Sequence, residues 1–270
     1  MSLDDRDAHD IGGARVSAFL ARVAAEPQRY ALFFDIDGTL IEIAPTPDAV
    51  VVPAALPDQF RRLARRFGGA VAFLSGRTLA WIDRRFDAVV TAVGALHGIE
   101  RRTAAGTIER RVPPAGLDLA RRTIDSAVAA WPGVLVEDKG LAVAVHYRSV
   151  PERGAVVDRL IADLAAGSDG ALEALPGKAV AELRTAGAHK GTALEAFLAE
   201  RPFLGRLPVF FGDDVTDQDG FAAARMHGGV AIAVGRSARE VGADFALPDP
   251  VAVRAFVARA VAPVREGETV

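Results

Sequence analysis

The most constraining feature of this chain is a repeated one: a short apolar run that stops abruptly at a polar tip. The first instance is Tyr30 to Leu40, YALFFDIDGTL. Ala31, Leu32, Phe33 and Phe34 run continuously into Asp35 and Asp37, and a Gly38–Thr39 break follows. A short apolar run bounded by a turn signal is how a strand covered on both faces reads. Ala70 to Leu74 (AVAFL) repeats the pattern and stops at Ser75-Gly76-Arg77. Val209 to Phe211 repeats it again and stops at Gly212-Asp213-Asp214. In open α/β sheets, chemistry collects at the carboxyl ends of strands. Two carboxylates one residue apart repel each other unless a positive group joins them. The tips therefore point to a hard divalent cation with oxygen ligands, Mg²⁺ above all.

Between these runs the spacing turns helical. Ala14 to Ala25 sets Val16, Phe19, Leu20 and Val23 on one stripe. Leu56 to Phe67 is an Arg-rich amphipathic stretch, and Thr78 to Phe86 follows the second strand. A segment with Pro45, Pro47 and Pro53 predicts a loop. A third apolar stretch, Val89 to Leu96, stops at His97–Gly98. From Val112 to about Arg184 the order becomes helix, strand, strand, helix, strand, strand. The helices are Leu117 to Trp131 and Glu152 to Ala165; the strands are Val134 to Glu137, Leu141 to Tyr147, Leu172 to Leu175 and Ala179 to Leu183. Such a doubled unit makes a separate α+β lobe, and insertion at a surface loop is structurally cheap.

The α/β pattern then resumes. A helix over Thr192 to Ala199 is expected to open with a Thr192–Glu195 capping box. Helix Asp217 to Met226, strands Val230 to Val234 and Asp244 to Leu247, and helix Val251 to Val261 complete the chain. The expected architecture is α/β: a Rossmann-like parallel-sheet core (residues 14–106 and 187–265) with an inserted α+β cap (107–186) and short tails at 1–13 and 266–270.

Composition removes several function classes. Half of the 270 residues are hydrophobic, enough for a sizeable core. A net charge of −3 argues against a nucleic-acid binder. The absence of cysteine excludes disulfides, thiolate metal sites and a thiol nucleophile. No apolar run approaches a membrane span, and the acidic start MSLDDRDAHD is unlike a signal peptide. A cytoplasmic protein, monomeric and without nucleic-acid or membrane partners, is the expectation.

If the apolar runs are neighbours in a parallel sheet, their tips converge. Several are followed by helices, whose free N–H groups favour phosphate. Acidic groups, a cation, a hydroxyl and amide donors together suit phosphoryl transfer. Lys190, just ahead of the Thr192 helix, is placed to touch that phosphate.

The ordered set DIDGTL, LSGR, HKG and GDDVTD resembles the haloacid dehalogenase-like phosphatase superfamily. The resemblance implies that Asp35 is the nucleophile, Asp37 the general acid and base, and Lys190 the neutralising cation. It implies Mg²⁺ held by Asp35, the backbone carbonyl of Asp37 and Asp213, with Asp214 in the metal set and Asp217 orienting its shell and Lys190. An insertion between the serine and lysine motifs is that of the subgroup with an αββαββ cap. Within it, Leu96-His97-Gly98, the Glu137-Asp138-Lys139-Gly140 turn, Val143 to Arg148 and Lys178 to Arg184 resemble the trehalose-6-phosphate phosphatase family. That implies substrate contacts from Thr39, Ser75, Gly76, Arg77, His97, Glu137, Lys139, Arg148 and Glu182, the cap residues among them gripping sugar hydroxyls. Gln218 and Gly220 depart from the family pattern, which more often has an acidic and a bulky apolar residue there. Another sugar phosphate, such as sucrose phosphate or mannosyl-phosphoglycerate, or a phosphomutase reaction, remains an alternative.

Overall fold

The computed structural model describes residues 3–44 and 49–262, so Pro45, Pro47 and the 266–270 tail lie outside the described residues. The apolar runs become the middle of a sheet. β1 (Tyr30–Phe34) lies between β2 (Val71–Leu74) and β10 (Leu207–Gly212), parallel to both. β3 (Ala92–Ala95) extends one side; β11 (Val230–Val234) and β12 (Phe245–Leu247) extend the other, all parallel. All five residues of β1 are buried because each face is covered. Leu32 and Phe34 point into one apolar cluster, packed by α1 (Leu3–Ala25), α2 (Leu56–Arg66), α3 (Leu79–Phe86) and α9 (Pro250–Ala260). Ala31 and Phe33 point into the other, packed by α6 (Lys190–Leu198) and α7 (Gln218–Met226). The two-residue period of a strand thus turns one apolar run into two half-cores.

Gly220 is filled space rather than a gap. A Cβ there would strike the Phe210 ring, so the residue that departs from the family pattern is the one that lets α7 lie on β10.

Five elements differ from expectation. α1 begins at Leu3, ahead of the expected start at Ala14, because no proline intervenes to stop it. Antiparallel strands β4 (Glu100–Arg102) and β5 (Ile108–Arg110) add to the β3 edge, so the larger sheet continues past residue 106. Thr192 does not begin its helix. His189 caps α6 instead: its Nδ1 accepts from the Thr192 N–H at 3.2 Å, and the Thr192 Oγ1 accepts from the His189 N–H at 3.3 Å. An imidazole nitrogen does here what a hydroxyl or carboxylate usually does at a helix start. The shift puts Lys190 in the first turn. A short helix α8 (Ala238–Val241) follows β11.

The inserted segment forms a four-stranded antiparallel sheet, ordered β6 (Leu135–Asp138), β7 (Ala142–His146), β9 (Val180–Thr185), β8 (Leu172–Gly177). α4 (Gly116–Val128) and α5 (Gly154–Ala166) cover one face, closing a core around Ile124, Val143, Val145, Ile161 and Leu183. Among the described residues, no helix covers the other face. A small apolar cluster of Leu96, Ile99, Ala142 and Ala188 joins the two lobes. Among the described residues, no helix is long and apolar enough to cross a membrane.

Candidate active site

Strand order decides where the site sits. From β1 the chain moves to β2 and β3 on one side, and later strands fill the other side from β10 outward. The crevice between β1 and β10 is therefore the topological switch point, where α/β sheets place their ligands. Asp35 follows β1 and Asp213 follows β10, so two residues far apart in sequence meet at that crevice. Carboxylate oxygens of Asp35, Asp213 and Asp217 all lie within 4.8 Å of one another. The Asp214 carboxylate, expected in the metal set, is not part of this cluster, and Asp37 was expected to offer its backbone carbonyl rather than its carboxylate.

Lys190 is the cluster's buried counter-charge. Its Nζ donates to Asp35 Oδ1 at 2.7 Å and to Asp217 Oδ1 at 2.6 Å. Burial pulls the lysine's proton affinity down, but the Asp217 and Asp35 carboxylates outweigh it, and the net shift is upward. Asp217 spends its other oxygen on the backbone N–H groups of Asp213 and Asp214, each at 2.9 Å. Both of its oxygens are thus engaged, which makes it a brace for the loop and for Lys190. Three carboxylates against one buried ammonium leave negative charge to spare. Burial, with Asp217 and Asp213 close by, pushes Asp35 well above the usual carboxylate range despite Lys190. Burial and Asp217 push Asp213 up to about 6. A divalent cation fits this deficit. The free oxygens are hard ones, with Asp35 Oδ2 and Asp213 Oδ1 the carboxylate atoms not already committed to a side-chain partner among the described residues.

Asp37 lies apart from the cluster. Arg77 grips it through two bonds, Nε to Oδ2 at 2.8 Å and Nη2 to Oδ1 at 2.7 Å, and the guanidinium lies 4.3 Å from the Trp81 ring centroid. Arg77 was expected to touch substrate; the structure pairs it first with the proposed acid and base, at the cavity wall. Ser75 is buried, and its Oγ accepts from the Arg77 N–H at 3.2 Å. Gly76 has no room for a side chain, since a Cβ would lie 2.6 Å from His97 Nε2. Thr39 corrects the expectation: it is fully buried and does not line the cavity. The tight turn of residues 36–41, with Thr39 and Leu40 N–H groups both on the Ile36 carbonyl, tucks it beneath the loop.

The uncovered face of the smaller sheet forms the cavity's ceiling. Strand alternation brings Glu137, His146, Leu175, Val180 and Glu182 to that face. Lys139 Nζ donates to Glu182 Oε2 at 2.6 Å and to the Gly76 carbonyl at 3.1 Å, so one ammonium ties the ceiling to the floor. His97 Nε2 stands 3.9 Å from Glu182 Oε1, too far for a direct bond. That carboxylate oxygen is buried and unpartnered, as is His97 Nδ1. Burial, then the Lys190, Arg184 and Lys139 charges, hold His97 well below its usual value, so it is neutral at pH 7. A neutral ring and a carboxylate separated by a gap form a place for a hydroxyl. Arg148 is exposed at the rim, bonded to the Lys178 carbonyl at 2.8 Å.

Sequence reasoning missed Lys178. It sits in the turn between β8 and β9, and its Nζ reaches Asp213 Oδ2 at 2.9 Å and Asp214 Oδ1 at 3.7 Å. The Gly177–Lys178 pair marks a hairpin turn, but nothing local says which surface that turn faces.

The trehalose-phosphatase family profile matches residues 33–250. The chain belongs to the trehalose-phosphatase family. A probable trehalose-phosphate phosphatase from Sinorhizobium fredii is 40% identical over 242 residues, covering 89% of this chain and 91% of that protein. The trehalose-6-phosphate phosphatase of Escherichia coli is 38% identical over 214 residues, covering 78% and 80%. Among solved structures, the C-terminal domain of the C. albicans trehalose-6-phosphate phosphatase matches with a TM-score of 0.78 at 20% identity, covering 90% of this chain and 96% of that one. A haloacid dehalogenase-like hydrolase from Bacteroides thetaiotaomicron matches at a TM-score of 0.61 and 14% identity, over 85% and 99%. The fold of this trehalose-phosphatase family member is thus haloacid dehalogenase-like, with an added cap.

Proposed function

We propose that the chain is a Mg²⁺-dependent phosphatase that hydrolyses trehalose 6-phosphate to trehalose and inorganic phosphate. The observation that carries this is one shared cavity: Asp35, Lys190 and Asp213 line its floor, and Glu137, Lys139 and Glu182 line its ceiling. A phosphate on the floor leaves the sugar under hydroxyl-binding groups.

Asp35 attacks phosphorus, forming an aspartyl-phosphate as the bond from phosphorus to the sugar oxygen breaks. Asp37 gives its proton to that leaving oxygen and later takes one from the water that attacks the intermediate, releasing phosphate from Asp35. Covalent catalysis splits one hard displacement into two easier ones. With both oxygens accepting from Arg77, Asp37 is held in the ionised form that takes the proton from water; to give a proton to the leaving oxygen, one of its oxygens must first be released by Arg77 and protonated. Lys190 neutralises Asp35 and the incoming phosphoryl oxygens, and Ser75 with nearby backbone N–H groups holds those oxygens in place. Asp35 and Asp213 would hold Mg²⁺, which supplies charge neutralisation for the approach of two anions. The smaller lobe, from α4 to β9, acts as the cap that excludes competing water. The setting expected from the sequence, a cytoplasmic monomer, rests on the sequence alone.

Phosphate release from a panel tests this: trehalose 6-phosphate, sucrose 6-phosphate, mannosyl-phosphoglycerate and glucose 6-phosphate, with Mg²⁺ and with EDTA. The expected result is Mg²⁺-dependent release with kcat/KM for trehalose 6-phosphate at least about 100-fold above the others, and none from Asp35→Asn. A flat panel overturns the substrate. Transfer of the group back to sugar without net phosphate release overturns hydrolysis in favour of a mutase.

A further inference from the structure

His146 is a polar group at the cavity wall that the chemistry above does not use. It ends β7, opposite Leu135, while Glu137 on β6 lies opposite Ala144. The two side chains are therefore diagonal neighbours on the cavity face of the smaller sheet. His146 Nε2 and Glu137 Oε2 are 2.8 Å apart, a hydrogen bond in which the imidazole N–H donates. Both residues line the cavity. The bond is the main reason the Glu137 carboxyl sits below its usual range, against the effect of burial. Glu137 Oε1 has no hydrogen-bond partner among the described residues. One oxygen is thus anchored and one is available.

We propose that His146 is a positioning residue for sugar recognition: by holding one oxygen of Glu137, it fixes the other at the point where a substrate hydroxyl must donate. The inference rests on the reading of Glu137 as a sugar contact. A purely structural role is ill suited to the pair, because four registered backbone pairs already hold β6 to β7. A flexible glutamate aimed by a rigid ring loses less freedom when the sugar arrives, and that saving appears in ground-state binding.

A double-mutant cycle tests the proposal, run on the sugar phosphate that the wild-type protein turns over best and on p-nitrophenyl phosphate, which has no sugar. The panel described above judges the identity of the sugar, and the cycle judges His146 alone. His146→Leu is expected to raise KM for the sugar phosphate about tenfold, the size of one lost charge-assisted hydrogen bond, with kcat changed less than about twofold. Turnover of p-nitrophenyl phosphate stays the same. His146→Gln, which keeps an N–H donor, recovers most of the affinity. In a Glu137→Ala background, His146→Leu adds less than about twofold. Equal losses on both substrates, an unchanged KM, or full additivity with Glu137→Ala would overturn the proposal. Thermal melts show that the variants fold; if His146→Leu does not, His146→Asn, whose shorter amide falls short of Glu137, takes its place with the same expected rise in KM.

Discussion

The tightest single position at the active centre is Gly38. Its φ is +82°, and a Cβ built on it would land on the Asp213 carboxylate. The turn after β1 and the loop after β10 can approach only because that atom is missing. Gly38→Ala is expected to lower kcat/KM at least about 100-fold, since displacements near 1 Å cost that much when catalysis depends on positioning. Its stability cost should be a modest ~1–3 kcal/mol, so steady-state kinetics and urea melts together separate a displaced site from a lost fold. At this scale the sequence was legible where chemistry is local. Asp35, Lys190 and Asp213 announce themselves by following apolar runs or preceding a helix. What was not legible is mutual engagement. Arg77 follows a strand tip as a phosphate ligand would, yet a carboxylate three residues past a different strand claims it. Lys178 acts through a partner 35 positions away that no local pattern names.

Strands show the same division. β1 was readable because both its faces meet apolar layers, so its residues form an unbroken run. Phe34 stacks on Phe211 at a centroid distance of 4.7 Å and meets Phe60 edge-on at 5.2 Å. Phe34→Ala is expected to cost about 3–5 kcal/mol in urea-induced unfolding, the range for removing a fully buried aromatic. A loss under ~1 kcal/mol would show that this face is not core. β4 and β5 escaped notice because ions rather than apolar contacts satisfy them. Arg102 is bound to Asp83, Arg101 to Glu109 and Glu200, and Arg110 to Glu100, so the hairpin carries no alternating hydrophobic signal. The start of α6 escaped for a related reason: its cap is an imidazole, outside the usual set of capping residues.

Across the whole molecule, the acidic centre ties folding to pH and, under the proposed function, to Mg²⁺. Between the ordinary aspartate value and about 6, the folded protein keeps a proton on Asp213 that the unfolded chain has released. Stability from this residue is therefore lost as pH rises through that window. A cation that binds the ionised carboxylates reverses the loss. Differential scanning fluorimetry should show Mg²⁺ raising Tm clearly at pH 7.5 and little at pH 5. At a hundredfold excess over Kd the gain is about 2.7 kcal/mol. Asp213→Asn should abolish it, and an equal gain at both pH values would contradict the arrangement.

The two lobes touch through apolar contacts and through polar ones, the bond from Lys139 to the Gly76 carbonyl among them. Leu96, Ile99, Ala142 and Ala188 meet as a greasy bearing, whose contacts have little directional preference. At the cavity mouth, Lys178, with its side chain 46% exposed, is a clasp of opposite charges on Asp213. Dissolved ions weaken the clasp, because surface charge is screened over roughly 8 Å at physiological ionic strength and less above it, while the bearing is indifferent to them. Raised ionic strength is therefore expected to loosen the clasp and to leave the bearing in place.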